Sequence, residues 1–306
     1  MTDYRLGINT CFAVKRWPRP QDWAPIVRDD LGLTLVQHSF DLVDLDVDAD
    51  RDGQAAELAA TCRAAGLTLH STFTGLAAYS SNLLLHPDDT TRRRAEAWYR
   101  RAIDLTAAAG ATATGGHVGA WSVADWRRPD RRRALLTSLQ GSLERLAAHA
   151  RTVGVDTLYV ENLAAEREPS TMDGIRHLLR PPDPDHAAVA LCLDVGHQCV
   201  PHTSGIERDP YEWLRRMGAV APIVQLQQSD ATADHHWPFT ATTNAAGRIV
   251  AADVLAALDA SGATEVDLIL EIIPPFEADD DEVRADLVAS AEHWRQALDA
   301  HVAARP

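Results

Sequence analysis

Three acidic residues lie where the surrounding sequence predicts burial. Glu161 and Glu271 come late in the apolar runs "LYVEN" and "LILEII", and Asp194 stands inside "LCLDVGHQC" at 191–199. A buried, ionised carboxylate is costly unless a cation, a metal or a proton compensates its charge. Few basic residues occur near these runs, because the arginines concentrate in the helical patterns. A divalent metal is therefore the simplest partner for all three acids, and a salt-bridged loop end is the alternative.

The positions of these acids depend on eight short apolar runs that alternate with helical patterns. Apolar residues recur at helical spacing in 88–109, in 129–152 and near the C-terminus. Continuously apolar strands between helices indicate a parallel sheet that is covered on both faces. Eight such units closed on themselves form a (β/α)8 TIM barrel. The predicted strands lie within 6–9, 33–40, 67–73, 111–118, 156–162, 188–197, 222–228 and 266–273.

A doubly wound open sheet is the main alternative fold. It lacks support, because no GxGxxG follows the first predicted strand and the sequence contains no P-loop. The proline-rich segment 181–185 is typical of a stiff turn and not of a linker between domains. We therefore predict one α/β domain over residues 1–306, a single TIM barrel.

Histidines follow several predicted strands at the ends where TIM-barrel enzymes place their functional residues. The third predicted strand gives His70, the fourth gives His117 in "GGHVG", the sixth gives His197 three places after Asp194, and "DHHW" after the seventh gives His236. Singly, each is more often a hydrogen-bonded loop residue than a ligand. Together they predict a substrate-binding site.

Two further residues in predicted loops could contact a substrate. Lys15 is the only lysine in the chain and lies in the long loop after the first strand. A lysine there suits a point-charge contact with phosphate or carboxylate, although an accidental lysine in an arginine-rich chain is the simpler interpretation. Trp121 could form a wall for a small polar substrate, and packing at the barrel mouth is an equal alternative.

Composition limits the partners. The net charge is −15, from 44 acidic and 29 basic residues, and no basic block suggests nucleic acid. No apolar run approaches the roughly 20 residues of a membrane helix, and the N-terminus has no signal-peptide pattern. The four cysteines show no CxxC spacing, which is typical of reduced thiols. We predict a cytoplasmic protein, and the sequence leaves a homo-oligomer open.

The motifs "YVEN", "LDVGH", "QLQQSD" and "LEI" at the last four strands resemble those of the xylose-isomerase-like TIM-barrel superfamily of sugar and sugar-phosphate isomerases and epimerases. The resemblance covers essentially the whole chain. In the ketose 3-epimerases of that group, Glu, Asp, His and Glu hold one metal. By position this implies Glu161, Asp194, a strand-seven residue and Glu271. The chain departs from the pattern at strand seven, where Gln225 or Gln227 replaces the usual histidine.

The resemblance implies proton transfer next to a ketone. A mixed carboxylate, amide and imidazole ligand set favours Mn²⁺, Mg²⁺ or Co²⁺ over a cysteine-type zinc site. Glu161 and Glu271 would act as acid and base on a short ketose or ketose phosphate, erythrulose-phosphate-like, through an enediolate. His70, His117, His197, His236, Lys15 and Trp121 would bind the substrate.

Three other functions stay open at this point. A decarboxylase of a branched 3-oxo sugar acid would use the same enediolate chemistry. An endonuclease IV-like metal nuclease has a comparable set of ligands, although the acidic charge argues against DNA. A non-catalytic binding subunit with a degenerate site would explain the glutamines of strand seven.

Overall fold

The structure is a computed structural model and describes residues 2–46, 48–200 and 203–304. Its sheet is a closed barrel of eight parallel strands in the order β1 to β8. The fold is therefore a (β/α)8 TIM barrel, as predicted. The strands are β1 Asp3–Asn9, β2 Leu35–Ser39, β3 Thr68–Phe73, β4 Ala113–Gly116, β5 Thr157–Glu161, β6 Ala188–Asp194, β7 Ile223–Leu226 and β8 Glu265–Leu270.

Helices follow the strands and carry the amphipathic patterns that the sequence predicts. Each of the three predicted helical stretches forms one long helix, named here α3, α5 and α10. The α-helices are α1 Pro20–Pro25, α2 Arg51–Ala64, α3 Asp89–Ala108, α4 Val123–Trp126, α5 Pro129–Val153, α6 Met172–Arg176, α7 Pro210–Met217, α8 Ala241–Ala246, α9 Ala251–Ser261 and α10 Asp280–Ala303. In the described part of the chain, none of these helices combines the length and apolar character that crossing a bilayer requires.

Each predicted apolar run contains or overlaps one strand, but several strands end earlier than the run. The strands β4, β6 and β7 stop at Gly116, Asp194 and Leu226, where the chain turns away into loops. The polar residues that follow, such as His117 and His197, therefore belong to the loops after the strands. This placement is what a TIM barrel requires of functional side chains.

The chain divides into two compact units, and the first comprises 1–37, 61–68 and 192–306. Within it β1 pairs with β2 and β8, and β7 pairs with β8, in parallel register. Asp194 at the end of β6 pairs with Gln225 of β7. Helices α7 and α9 pack together and bury Trp213 and Leu255. This packing supports the strands whose ends carry Asp194 and Glu271.

The second unit comprises 38–60 and 69–191. In it β4 pairs with β3 and β5, and α3 packs on α5. Leu139 and Leu146 of α5 are almost fully buried, which agrees with the helical spacing in the sequence. Glu161 ends β5 in this unit. The assignment of residues 1–306 to one domain stays a prediction.

Candidate active site

The first unit contains a group of acids and histidines that we call the carboxylate–imidazole cluster: Asp194, His197, Asp234, His236 and Glu271. Asp194 is the last residue of β6, and Glu271 directly follows β8. One ligand atom from each of Asp194, His236 and Glu271 lies within 4.8 Å of the others, and the same holds for His197, Asp234 and His236. His236 belongs to both groups, which makes this loop residue central to the cluster.

His236 is held between two acids in an unusual backbone conformation. Its Nε2 lies 3.1 Å from Asp234 Oδ1, and its Nδ1 lies 3.6 Å from Glu271 Oε2. Its φ of +49° lies in the left-handed region, which is uncommon for residues other than glycine. The peptide N–H of His236 donates to Gln227 Oε1 at 2.6 Å and helps to hold this conformation.

The charges of the cluster support one another. Burial lowers the pKa of His236, but the nearby carboxylates, Asp234 foremost, outweigh burial and raise it to about 9. Burial also raises the pKa of Asp234, but the positive charges of His197 and His236 outweigh it and hold this pKa well below its usual range. The arrangement therefore stabilises the anionic form of Asp234 and the cationic form of His236.

A buried network of side-chain amides surrounds one oxygen of Glu271. Glu271 Oε1 accepts hydrogen bonds from Asn9 Nδ2 at 3.1 Å and from Gln225 Nε2 at 2.8 Å. Both amides also donate to Gln37 Oε1, at 2.8 and 2.9 Å. Two donors to one carboxylate oxygen help to fix its rotamer. The other oxygen, Oε2, is the one that faces His236.

Gln227 donates hydrogen bonds to the other two acids of the cluster, Asp194 and Asp234. Its Nε2 lies 3.1 and 3.2 Å from the two oxygens of Asp194 and 3.0 Å from Asp234 Oδ1. Gly196 of "LDVGH" makes room for it, because a Cβ at this glycine would overlap the Gln227 side chain. Both strand-seven glutamines thus turn their amide nitrogens towards carboxylates. Gln225 and Gln227 as metal ligands through oxygen stay a prediction.

The Gln225→Leu variant should be destabilised, because it leaves Glu271 and Gln37 each short of one buried hydrogen bond. We expect a loss of about 1–3 kcal/mol in the free energy of unfolding. Urea denaturation measures it, and Gln296→Leu, at an exposed position of α10, is the matched control. Equal stability of the two variants would contradict the role of Gln225 as a donor.

The donor set of the cluster fits a divalent metal. Ligands at about 2.1 Å from one ion lie about 3–4 Å apart, so a spacing within 4.8 Å needs little adjustment. Carboxylate oxygens with imidazole nitrogen suit Mn²⁺, Mg²⁺ or Co²⁺, and a thiolate is not among the atoms of the cluster. Asp194, His236 and Glu271 are therefore the residues of this unit that would hold the ion. Binding would displace the ring proton that the carboxylates otherwise stabilise on His236.

The second unit places a separate set of polar side chains around Glu161. Glu161 is fully buried, and its Oε2 accepts a hydrogen bond from the Tyr79 hydroxyl at 3.0 Å. The Tyr79 ring lies against the His117 ring, with centroids 4.6 Å apart. His117 Nε2 lies 3.2 Å from Glu168 Oε1. Two predicted residues, Glu161 and His117, are thus connected through Tyr79.

Three other predicted residues lie in different surroundings. His70 lies inside β3, where its Nδ1 is 2.9 Å from the Ser71 hydroxyl and its ring stacks on Tyr159. Lys15 Nζ lies 4.1 Å from the centre of the Phe276 ring. Trp121 is buried against Trp126, and its Nε1 has no hydrogen-bond partner among the described residues. Their substrate contacts stay predictions.

The sequence interpretation missed Asn9, Tyr79 and Glu168. Asn9 ends β1, so the rule that points to strand ends could have found it. Tyr79 and Glu168 lie in loops several residues beyond β3 and β5. Only the folded course of these loops brings them to Glu161 and His117, and no local pattern in the sequence indicates that.

The chain is similar to known proteins in family and in sequence. The family model for xylose isomerase-like TIM barrels matches residues 29–298. A D-erythrulose 1-phosphate 3-epimerase from Brucella abortus (strain 2308) is 27% identical over 302 residues, which is 96% of each chain. The family model covers strands β2 to β8, and the Brucella relative matches nearly the whole chain.

Solved structures give a consistent picture. A Rhodospirillum rubrum ATCC 11170 protein provisionally assigned as a xylose isomerase is 36% identical, with a TM-score of 0.88, over 96% of this chain and 99% of that one. A D-psicose 3-epimerase from Clostridium cellulolyticum H10 is 18% identical, with a TM-score of 0.68, over 96% and 99% of the two chains. The second likeness concerns the fold alone.

Proposed function

Because the chain belongs to the xylose isomerase-like TIM barrel family, we propose that it is a metal-dependent epimerase of a short ketose phosphate. The substrate class is that of D-erythrulose 1-phosphate, on which the Brucella relative acts by its name. Proton removal and return at the carbon next to the carbonyl would pass through an enediolate.

The carboxylate–imidazole cluster is the observation that carries this proposal. It places two carboxylates and an imidazole within 4.8 Å of one another at the ends of β6 and β8 and in the loop after β7. A divalent metal held there would polarise the carbonyl and the neighbouring hydroxyl of a ketose. Chelation of this kind also requires an oxygen-rich substrate, which a sugar supplies.

The contacts of Glu271 support a role in proton transfer. The amides of Asn9 and Gln225 donate to its Oε1, and Oε2, which faces His236, is the oxygen that we assign to proton transfer. Glu161 ends β5, and functional residues of TIM barrels lie at the C-terminal ends of the strands. We therefore assign Glu161 both to the metal and to the second proton-transfer step, with Tyr79 orienting its carboxylate.

The histidines complete the proposed site. His197 Nε2 lies 3.3 Å from Asp234 Oδ1, and its side chain is fully buried. Such a histidine has a fixed ring orientation and can direct its contact to a sugar hydroxyl. Lys15, Trp121 and His70 are kept as predicted substrate contacts, with Lys15 assigned to the phosphate.

The decisive test is a panel of ketoses from four to six carbons, each with and without a terminal phosphate. We expect epimerisation at carbon 3 of a short ketose 1-phosphate in the presence of Mn²⁺, Mg²⁺ or Co²⁺. Proton NMR in deuterium oxide measures the reaction. Isomerisation to an aldose would instead show that protons move between neighbouring carbons. No reaction with any phosphorylated or free ketose would overturn the proposal.

Other outcomes separate the alternative functions. Release of carbon dioxide from a branched 3-oxo sugar acid would identify a decarboxylase. Cleavage of abasic-site DNA, with two or three zinc ions bound, would identify a nuclease. Absence of both metal and chelator-sensitive activity would fit a binding subunit with a degenerate site. A homo-oligomer stays a prediction, as does the cytoplasmic location, with which the four free, buried cysteines agree.

A further inference from the structure

The imidazole of His117 has one nitrogen beside a carboxylate and one with no hydrogen-bond partner in the described part of the chain. The side chain is fully buried. Its Nε2 lies 3.2 Å from Glu168 Oε1. Its Nδ1 is buried and has no hydrogen-bond partner among the residues that the structure describes. A buried polar atom in this state is costly, so it calls for a partner that the described residues do not supply.

The backbone around His117 gives the ring a fixed position. Its peptide N–H donates to Thr74 Oγ1 at 2.7 Å, and its carbonyl accepts a hydrogen bond from the Tyr99 hydroxyl. Gly116, at φ +120°, permits this close approach, because a Cβ there would overlap Thr74 Oγ1. The backbone of His117 is therefore held in place, and the contacts with Glu168 and with the Tyr79 ring hold the imidazole itself.

Glu168 reaches His117 because the loop after β5 folds back on itself and onto the loop after β4. The N–H of Leu163 donates to the carbonyl of Pro169 at 2.9 Å, and the N–H of Trp121 donates to the carbonyl of Arg167 at 2.8 Å. Glu168 itself is largely buried, with 11% of its side chain exposed. The carboxylate is thus a built part of the structure and not a surface charge that happens to lie nearby.

A carboxylate facing one imidazole nitrogen keeps the proton on that nitrogen, and the other nitrogen becomes an acceptor. We propose that Glu168 is a positioning residue that holds His117 as the Nε2–H tautomer, so that Nδ1 accepts a hydrogen bond from a hydroxyl group of the sugar. The inference rests on the proposed function for the identity of the ligand. Tyr79 supports it, because this residue touches the His117 ring and also donates to Glu161.

Nitrogen-15 NMR of the histidine-labelled, full-length protein at pH 8 tests the tautomer directly. The His117 signals are assigned from their loss in the His117→Asn variant. We expect the Nε2–H form in the wild type, a mixture of tautomers in Glu168→Ala, and the wild-type form in Glu166→Ala. Glu166 is an exposed acid of the same loop, so it controls for the change in charge. An Nδ1–H or doubly protonated His117 in the wild type would overturn the inference.

Kinetics and ligand addition test the role of the acceptor. Adding D-erythrulose 1-phosphate should shift the Nδ1 signal of the wild type. Glu168→Ala should lower kcat/KM by about 2- to 10-fold, mainly through KM, because the substrate loses about one hydrogen bond, and Glu166→Ala should not. An unmoved Nδ1 signal during turnover, or equal KM in the two variants, would contradict the inference. If the wild type acts on no ketose, the proposed function fails, and the tautomer spectra still decide what Glu168 does.

Discussion

Glu271→Gln and Glu161→Gln are each expected to lose solvent-deuterium incorporation into the ketose phosphate by about 100- to 10,000-fold. This is the range that positioned acids and bases contribute to proton transfer. An amide neither removes nor delivers the proton at the carbon next to the carbonyl. The measurement is proton NMR of the substrate carbon in deuterium oxide, starting from each of the two epimers.

The substitutions should leave the fold intact. In Glu271→Gln the amide oxygen can still accept hydrogen bonds from Asn9 and Gln225, because both residues donate to the same oxygen of Glu271. In Glu161→Gln the amide oxygen can still accept from Tyr79 after an amide flip. Loss of exchange with an unchanged circular dichroism spectrum would therefore be a chemical effect and not an effect on folding.

A control variant and the dependence on the starting epimer test this prediction further. Glu265→Gln changes an exposed acid at the start of β8 that lies beside Arg5, and it should exchange at the wild-type rate. If the two glutamates serve opposite faces of the substrate, the two variants should differ in which epimer still exchanges. Full exchange from both epimers in both variants would refute their roles in proton transfer.

The barrel could be predicted from the sequence because its strands are apolar on both faces. Runs such as "TLYVE" and "AVALCLD" are continuously apolar up to their final acid, and both form strands. A strand that presents one face to a barrel interior and the other to helices must have this composition. The same feature made the terminal acids conspicuous, so the positions of Glu161 and Asp194 could also be predicted.

The partners of these acids could not be predicted in the same way. Glu168 meets His117 only because backbone hydrogen bonds such as Leu163 N–H to the Pro169 carbonyl fold the loop back. His236 enters the cluster through a left-handed φ, which local preferences disfavour for histidine. In both cases tertiary contacts override what the local sequence indicates. The sequence pointed to His236 as a substrate contact, whereas the geometry makes it a candidate ligand as well.

Asp194→Asn is expected to weaken binding of Mn²⁺ by more than about 100-fold. Loss of a residue that only hydrogen-bonds to a metal ligand lowers metal affinity by about 10- to 100-fold. This variant removes a charged ligand itself. The effect should be large here, because Asp194, Glu271 and His236 supply one ligand atom each within 4.8 Å. Isothermal titration calorimetry and the electron paramagnetic resonance signal of free Mn²⁺ measure binding without reference to activity.

The matched control is Asp230→Asn, in the loop after β7. Asp230 bonds to Thr232 and His235 and is outside the carboxylate–imidazole cluster, so its loss should leave Mn²⁺ affinity unchanged. Treatment with a chelator should abolish epimerisation by the wild type, and added Mn²⁺ should restore it. Equal affinity in the two variants would show that the ion is held elsewhere. Retention of full activity after chelation would show that the buried acids are compensated by protons and by the amides of Gln225 and Gln227, not by a metal.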